Sequence, residues 1–182
     1  MSKIYSSLFL VSLLLLTTGN PQQNSDPVIF STQPKPAFAR LDSDKIGKKI
    51  TLEGRASLTV TQANDDDTIT GVFVYTVDDD SRQKLADFSG TDLDEIPAKY
   101  SKENVTARFQ KGTTCPSIHL DLPPVELEAA GMTMKLDRVV LDIPESPQRM
   151  SQYFCAWARQ INAHRQRLGI IAAINHLIKP EN

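Results

Sequence analysis

The chain has 182 residues, 20 lysines and arginines against 22 aspartates and glutamates, a formal charge of −2 and two cysteines. That length suits one compact folded domain with a sizeable core. The nearly balanced charge excludes a long-range field that would gather nucleic acid, so no nucleic-acid partner is expected.

Lys3 precedes the apolar run Leu8 to Leu16, and Thr17, Thr18, Gly19 and Asn20 follow it, the layout of a secretory signal. Residues 1–20 are therefore expected to be a signal peptide, cut near Gly19 or Asn20. The run is too short to span a bilayer. Export to the extracellular space, the periplasm or the cell envelope is the expectation. Residues 21–45 are rich in Pro, Gln and Ser, and Pro34 and Pro36 interrupt regular hydrogen bonding, which predicts an extended arm. Val28, Ile29, Phe30 and Phe38 could pin it to a body spanning 46–182.

From Lys49 to Thr61 apolar residues alternate with polar ones, and Thr68 to Val77 is rich in β-branched and aromatic residues. With turn residues Asn64 to Asp67 between them, the two segments predict a β-hairpin. The acidic triplets Asp65-Asp66-Asp67 and Asp78-Asp79-Asp80 invite a calcium reading, but they lack the glycine and the distal glutamate of a calcium loop, so self-solvated turns are expected. Ser81 to Ser101 reads as a loop with one helical turn. Asn104 to Phe109 reads as a short strand opening on the sequon Asn104-Val105-Thr106, which matters only in a eukaryotic source.

Strand patterns then run through Ile118, Leu120 and Leu122, break at Pro123-Pro124, resume at Val125 and Leu127, turn at Gly131, and return through Met132, Met134 and Leu136 to Ile143. In an exported chain the two cysteines, Cys115 and Cys155, are expected to form one structural disulfide, the alternative being two buried thiols. Ser146 as N-cap and Pro147 as first residue open an amphipathic C-terminal helix that Gly169 bends or breaks and Pro180 ends. The fold class that emerges is α+β: an antiparallel β-rich sheet or half-barrel with a C-terminal amphipathic helix packed on it.

Cys115, Pro116, His119, Leu120, Asp121 and Leu122, with Val139, Leu141, Asp142, Ile143 and later Cys155 and Ala156, resemble a pattern in exported bacterial proteins, many of them actinobacterial, of unassigned function. The resemblance covers about a quarter of the chain. It departs at Ser146 to Gln152, where the group has a Gly-Pro-Gly-Asn-like turn, and in the basic C-terminal helix. It implies secretion, a β-rich body and a disulfide.

Site chemistry is sparse. There is no Gly-x-Ser-x-Gly, no phosphate loop and no dinucleotide fingerprint, so no catalytic residue and no cofactor are assigned. His119 and Asp121 share a strand face and, with Asp142 and His164, form the one cluster that could hold a metal. Met132, Met134 and Trp157 could line a pocket for a hydrophobic ligand. Arg159, Arg165 and Arg167 lie on a helix without acidic residues and could contact an anionic membrane surface. The functional expectation is an exported, non-catalytic binding or structural protein. The alternative is a carrier of a lipid-like ligand, and a metal-dependent hydrolase comes third.

Overall fold

A computed structural model describes residues 29–43, 48–110, 115, 118–143, 149–159 and 164–178; for residues 42, 43, 48, 149, 150 and 164–166 the description is confined to the backbone. The signal peptide, the first part of the arm, the Ser146-Pro147 cap and Pro180 lie outside the described residues. The architecture is α+β, a mostly antiparallel half-barrel sheet with helices near the C-terminus.

Nine strands make the sheet: β1 (Phe30–Ser31), β2 (Lys35–Ser43), β3 (Lys48–Ala63), β4 (Thr68–Val77), β5 (Lys99–Phe109), β6 (Ile118–Leu122), β7 (Val125–Ala129), β8 (Met132–Leu136) and β9 (Val139–Ile143). They run in the order β7-β8-β2-β3-β4-β5-β6-β9, with β1 also paired to β3. Alternation sets the faces: Leu52, Ala56, Leu58 and Val60 of β3 and Phe73, Tyr75 and Val77 of β4 are buried in the core, and their sequence neighbours are not. The predicted hairpin of β3 and β4 is present, with register Gly54↔Val77 through Ala63↔Ile69 and one irregularity between Val60 and Gln62.

The arm expected over residues 21–45 is, from Lys35 to Ser43, a strand inside the sheet. The prolines do not prevent this, because a strand edge without a ladder partner tolerates the missing N–H. Glu53 gives its N–H to Ser81 Oγ and accepts Asp78 N–H at its carbonyl, so its backbone faces away from β2. Its partner Phe38 must then turn its own backbone away from β3, and by alternation so does Pro36. Pro36 has no donor to offer on that edge.

β6 to β9 form one long hairpin that breaks in the middle. The pairs Leu122↔Val139 and Val125↔Leu136 are three residues apart on both strands, so the register continues across Pro123-Pro124 and Asp137-Arg138. The inward-facing series also steps by three there, from Leu122 to Val125 and from Leu136 to the half-buried Val139, whereas elsewhere it steps by two. Each strand thus carries one extra residue at the break, and the two cancel, so both halves keep their apolar faces to the core. A two-residue turn closes the hairpin, with Ala130 at φ 50° and Gly131 at φ 73°.

The halves of this hairpin pair with different strands. β6 continues the sheet from β5, and β8 pairs β2 through Ala39↔Leu136 to Leu41↔Met134. Six residues back on the β1–β2 side and six on along the hairpin, a single bridge Gln33↔Asp142 keeps the same register. The hairpin therefore straddles the half-barrel and joins its two ends.

Helix α1 (Asp79–Ser89) replaces the first part of the loop expected from Ser81 to Ser101. The acidic triplet is its start: Asp78 is the N-cap residue, Asp79 and Asp80 sit in the first turn, where carboxylates suit the helix dipole, and Gly90 at φ 71° closes the other end. Ser81 and Leu85 are buried, and α1 packs on β3 where β3 extends beyond β4. The described residues of the C-terminal helical region form α2 (Arg149–Arg159) and α3 (His164–Ile178), and Gly169 lies inside α3 without ending it. Cys115 and Cys155 are joined by a disulfide with Cα atoms 5.6 Å apart, which ties α2 to the segment before β6. Phe154 and Trp157 bury against Phe30 and Phe109, with ring centroids 4.9 Å apart for Phe30–Phe154 and 4.8 Å for Phe109–Trp157. On α3, the Asn175 side chain receives Ala63 N–H and donates to Ala63 C=O, fastening the helix to the end of β3.

Gly54 is required by close approach. A Cβ there would lie 2.3 Å from the Thr76 carbonyl oxygen and 2.8 Å from the Tyr75 ring, whose hydroxyl donates to Leu52 C=O across this spot. Gly54→Ala is expected to cost about 1–3 kcal/mol by overpacking. Denaturant titration checks it, and an unchanged midpoint would contradict the packing described.

Candidate functional site

The broken middle of the hairpin faces the equally broken edge of β2, and this seam gathers the polar groups of the outer wall. The β2–β8 ladder stops at Ala39↔Leu136 and resumes only at Gln33↔Asp142. Between these points a cavity of about 260 Å³ is lined by Lys35 to Phe38 and Asp137 to Val140. Phe38 and Val140 are 54% and 38% exposed there. On the other side of Arg138, which lines both, a groove of about 550 Å³ is bounded by Thr68, Thr106, Ala107, Arg108, Asp121, Pro123 and Pro124.

Asp142 is the clasp of the seam. Its carboxylate accepts from Lys35 Nζ at one oxygen and from His119 Nδ1 at 2.8 Å at the other, while its backbone carbonyl accepts Gln33 N–H at 3.0 Å. The Lys35 ammonium, and after it the His119 ring, hold the Asp142 carboxyl below the usual carboxylate range despite partial burial. A depressed carboxyl stabilises the fold fully above its unfolded value of about 3.9 and loses that contribution as pH falls through the folded value. Wild-type protein is thus expected to lose on the order of 1 kcal/mol more than Asp142→Asn between about pH 5 and pH 2. Parallel urea titrations of the two proteins across that range check it. Equal losses would show that Asp142 does not clasp the seam.

Two of the expected metal ligands have other partners in the structure. His119 and Asp121 do share a face, but His119 turns to Asp142, and Asp121 accepts Arg138 at both oxygens, the Nη2–Oδ2 contact being 2.6 Å. The His164 side chain lies outside the described residues. Among the described residues no group of three His, Cys, Asp or Glu side chains could hold a metal ion. In the acidic turn Asp66 accepts Thr68 Oγ1 at 2.5 Å, and Asp67 accepts Arg167 Nη1 of α3 at 2.8 Å.

The other sequence candidates also separate. Met134 and Trp157 are fully buried and Met132 is half-buried. Trp157 meets Phe109 edge-on, and Phe109 pairs with Leu120 and through it with Leu141. Leu141 and Met134 are seven residues apart on one strand line, roughly 20 Å, so the two methionines and Trp157 do not line one pocket. Arg167 is held by Asp67 rather than offered to a surface, Arg159 is exposed, and the Arg165 side chain lies outside the described residues. No helix among the described residues is long and apolar enough to cross a membrane.

Sequence reasoning found His119, Asp121 and Asp142 but missed Lys35, Phe38, Arg108, Arg138 and Val140. Four prolines near the break, Pro34, Pro36, Pro123 and Pro124, were the available signal. No family model, curated protein or solved structure matches this chain.

Proposed function

We propose that this chain is an exported, non-catalytic binding protein of the extracellular space or cell envelope, and that the seam is its recognition surface. One observation carries the reading. The wall is interrupted where Phe38 and Val140 stand exposed in one concavity, with a second across Arg138, while acids and bases around them are tied to one another as Lys35–Asp142–His119, Arg138–Asp121 and Arg40–Asp137. Paired ions beside exposed apolar side chains suit complementary contact better than proton transfer. Both cysteines are joined to each other, so no thiol nucleophile remains. The disulfide and the resemblance to exported bacterial proteins support the compartment.

The test is an array of extended peptides and saccharides probed with wild type, Phe38→Ser and Lys84→Glu, the last being an exposed change on α1. Ligands retained by Lys84→Glu and weakened about tenfold or more by Phe38→Ser are expected, since truncating a central aromatic contact costs more than 1 kcal/mol. Chemical conversion of a bound probe would overturn the non-catalytic reading, and a lipid found by native mass spectrometry in protein from its host would favour the carrier alternative.

A further inference from the structure

The groove on the Arg108 side of the seam has a chemistry of its own. Arg108 and Asp121 are directly opposed in the β5–β6 ladder, and Arg138 reaches the same Asp121 carboxylate through Nε and Nη2. One carboxylate therefore stands between two guanidinium groups and is taken up by one of them. Arg108 makes no hydrogen bond or ion pair among the described residues, although its charge acts weakly on Asp66. Thr106, one strand step along the same outer face, offers a hydroxyl to the groove, and Pro123 and Pro124 give it an apolar side. A guanidinium side-on to one carboxylate keeps its remaining N–H groups for a second acceptor.

We infer that this groove binds an oxyanion, a carboxylate or a tetrahedral phosphate or sulfate group, between Arg108, the outer edge of Arg138 and the Thr106 hydroxyl. The carbon framework of the ligand lies on Pro123 and Pro124. The groove, at about 550 Å³, is the size of pockets that take a small organic ligand. The inference rests on the seam being a recognition surface and names the ligand class of one half of it. Asp121 has a definite part: by neutralising Arg138 it weakens the site and holds Arg138 in place.

Titration of the full chain with sodium acetate, phosphate and sulfate at low ionic strength, against sodium chloride, followed by amide NMR shifts, tests this. Saturable shifts are expected at Thr106, Arg108 and Asp121, and the anion that saturates first distinguishes a carboxylate from a tetrahedral ligand. Affinity should fall about tenfold in Arg108→Ala, recover in part in Arg108→Lys, which restores charge without the fork, and rise severalfold in Asp121→Asn. Arg108 is exposed, so its removal leaves the fold intact. Linear, unsaturable shifts with all three anions would overturn the inference, as would equal affinity in Arg108→Ala or no gain in Asp121→Asn. Such a failure leaves the array result at Phe38 standing, so the two readings fail separately.

Discussion

Replacing Cys115 and Cys155 by serine is expected to destabilise the domain by about 4 kcal/mol, the loop-closure entropy that a bridge over 40 residues removes from the unfolded chain. The loss should not fall evenly. The bridge ties α2 to the segment leading into β6, and α2 otherwise makes its main contacts with α3 and the Phe30, Phe109 and β6 surface. The β3–β4 hairpin, in contrast, is held along nine register pairs and flanked by β2 and β5. Hydrogen exchange of the double variant should show α2 amides released while β3 and β4 amides stay slow. Simultaneous release of all of them would mean that helix and barrel form one cooperative unit.

Trp157→Ala is expected to cost about 3–5 kcal/mol, because the ring is fully buried and its loss opens a cavity among Phe109, Phe154 and the rest of the core. Trp157→Phe should cost less than half as much. Phenylalanine keeps the edge contact with Phe109, and among the described residues the buried indole N–H has no hydrogen-bond partner to lose. Thermal unfolding of the two variants checks the order. If phenylalanine were as damaging as alanine, the N–H would have to make a bond that the structure does not show.

How much of this was legible in the sequence varies from element to element for physical reasons. Lys49 to Val60 and Ile69 to Val77 read as strands because one face of each is buried, so a period of two shows in the letters. The disulfide followed from two cysteines and an expected export signal. Helix α1 was missed because its buried stripe is thin, with Ser81, Leu85 and Ala86 turned inward, and because an aspartate triplet suits a turn as well as a helix start. The Lys35 to Ser43 strand was missed because prolines argue against a ladder, and nothing local shows that Pro36 would face an edge the hairpin leaves unpaired.

The site was legible only in part, and the reason is topological. His119 and Asp142 could be picked out as a cluster because both sit on recognisable strands near the cysteines. Lys35 reaches Asp142 across 107 positions of chain, and Arg108 meets Asp121 across a strand pair whose register depends on the loop between them. Contacts of that kind are set by how the sheet closes, which is not written in any local period. His119-x-Asp121 looked like a ligand pair, but each side chain found a different partner across the sheet.

The closure itself is open to a single measurement. The long hairpin joins the two ends of the half-barrel at Asp142, with Gln33 N–H bonded to its carbonyl at 3.0 Å beyond a stretch where the ladder is interrupted. Amide hydrogen exchange of the native protein, resolved to Gln33, tests this directly. Protection at Gln33 comparable with that of β9 amides is expected, with faster exchange there in Asp142→Asn. Exchange at Gln33 as fast as in an unstructured peptide would show the ring to be open and would remove the seam as a built surface.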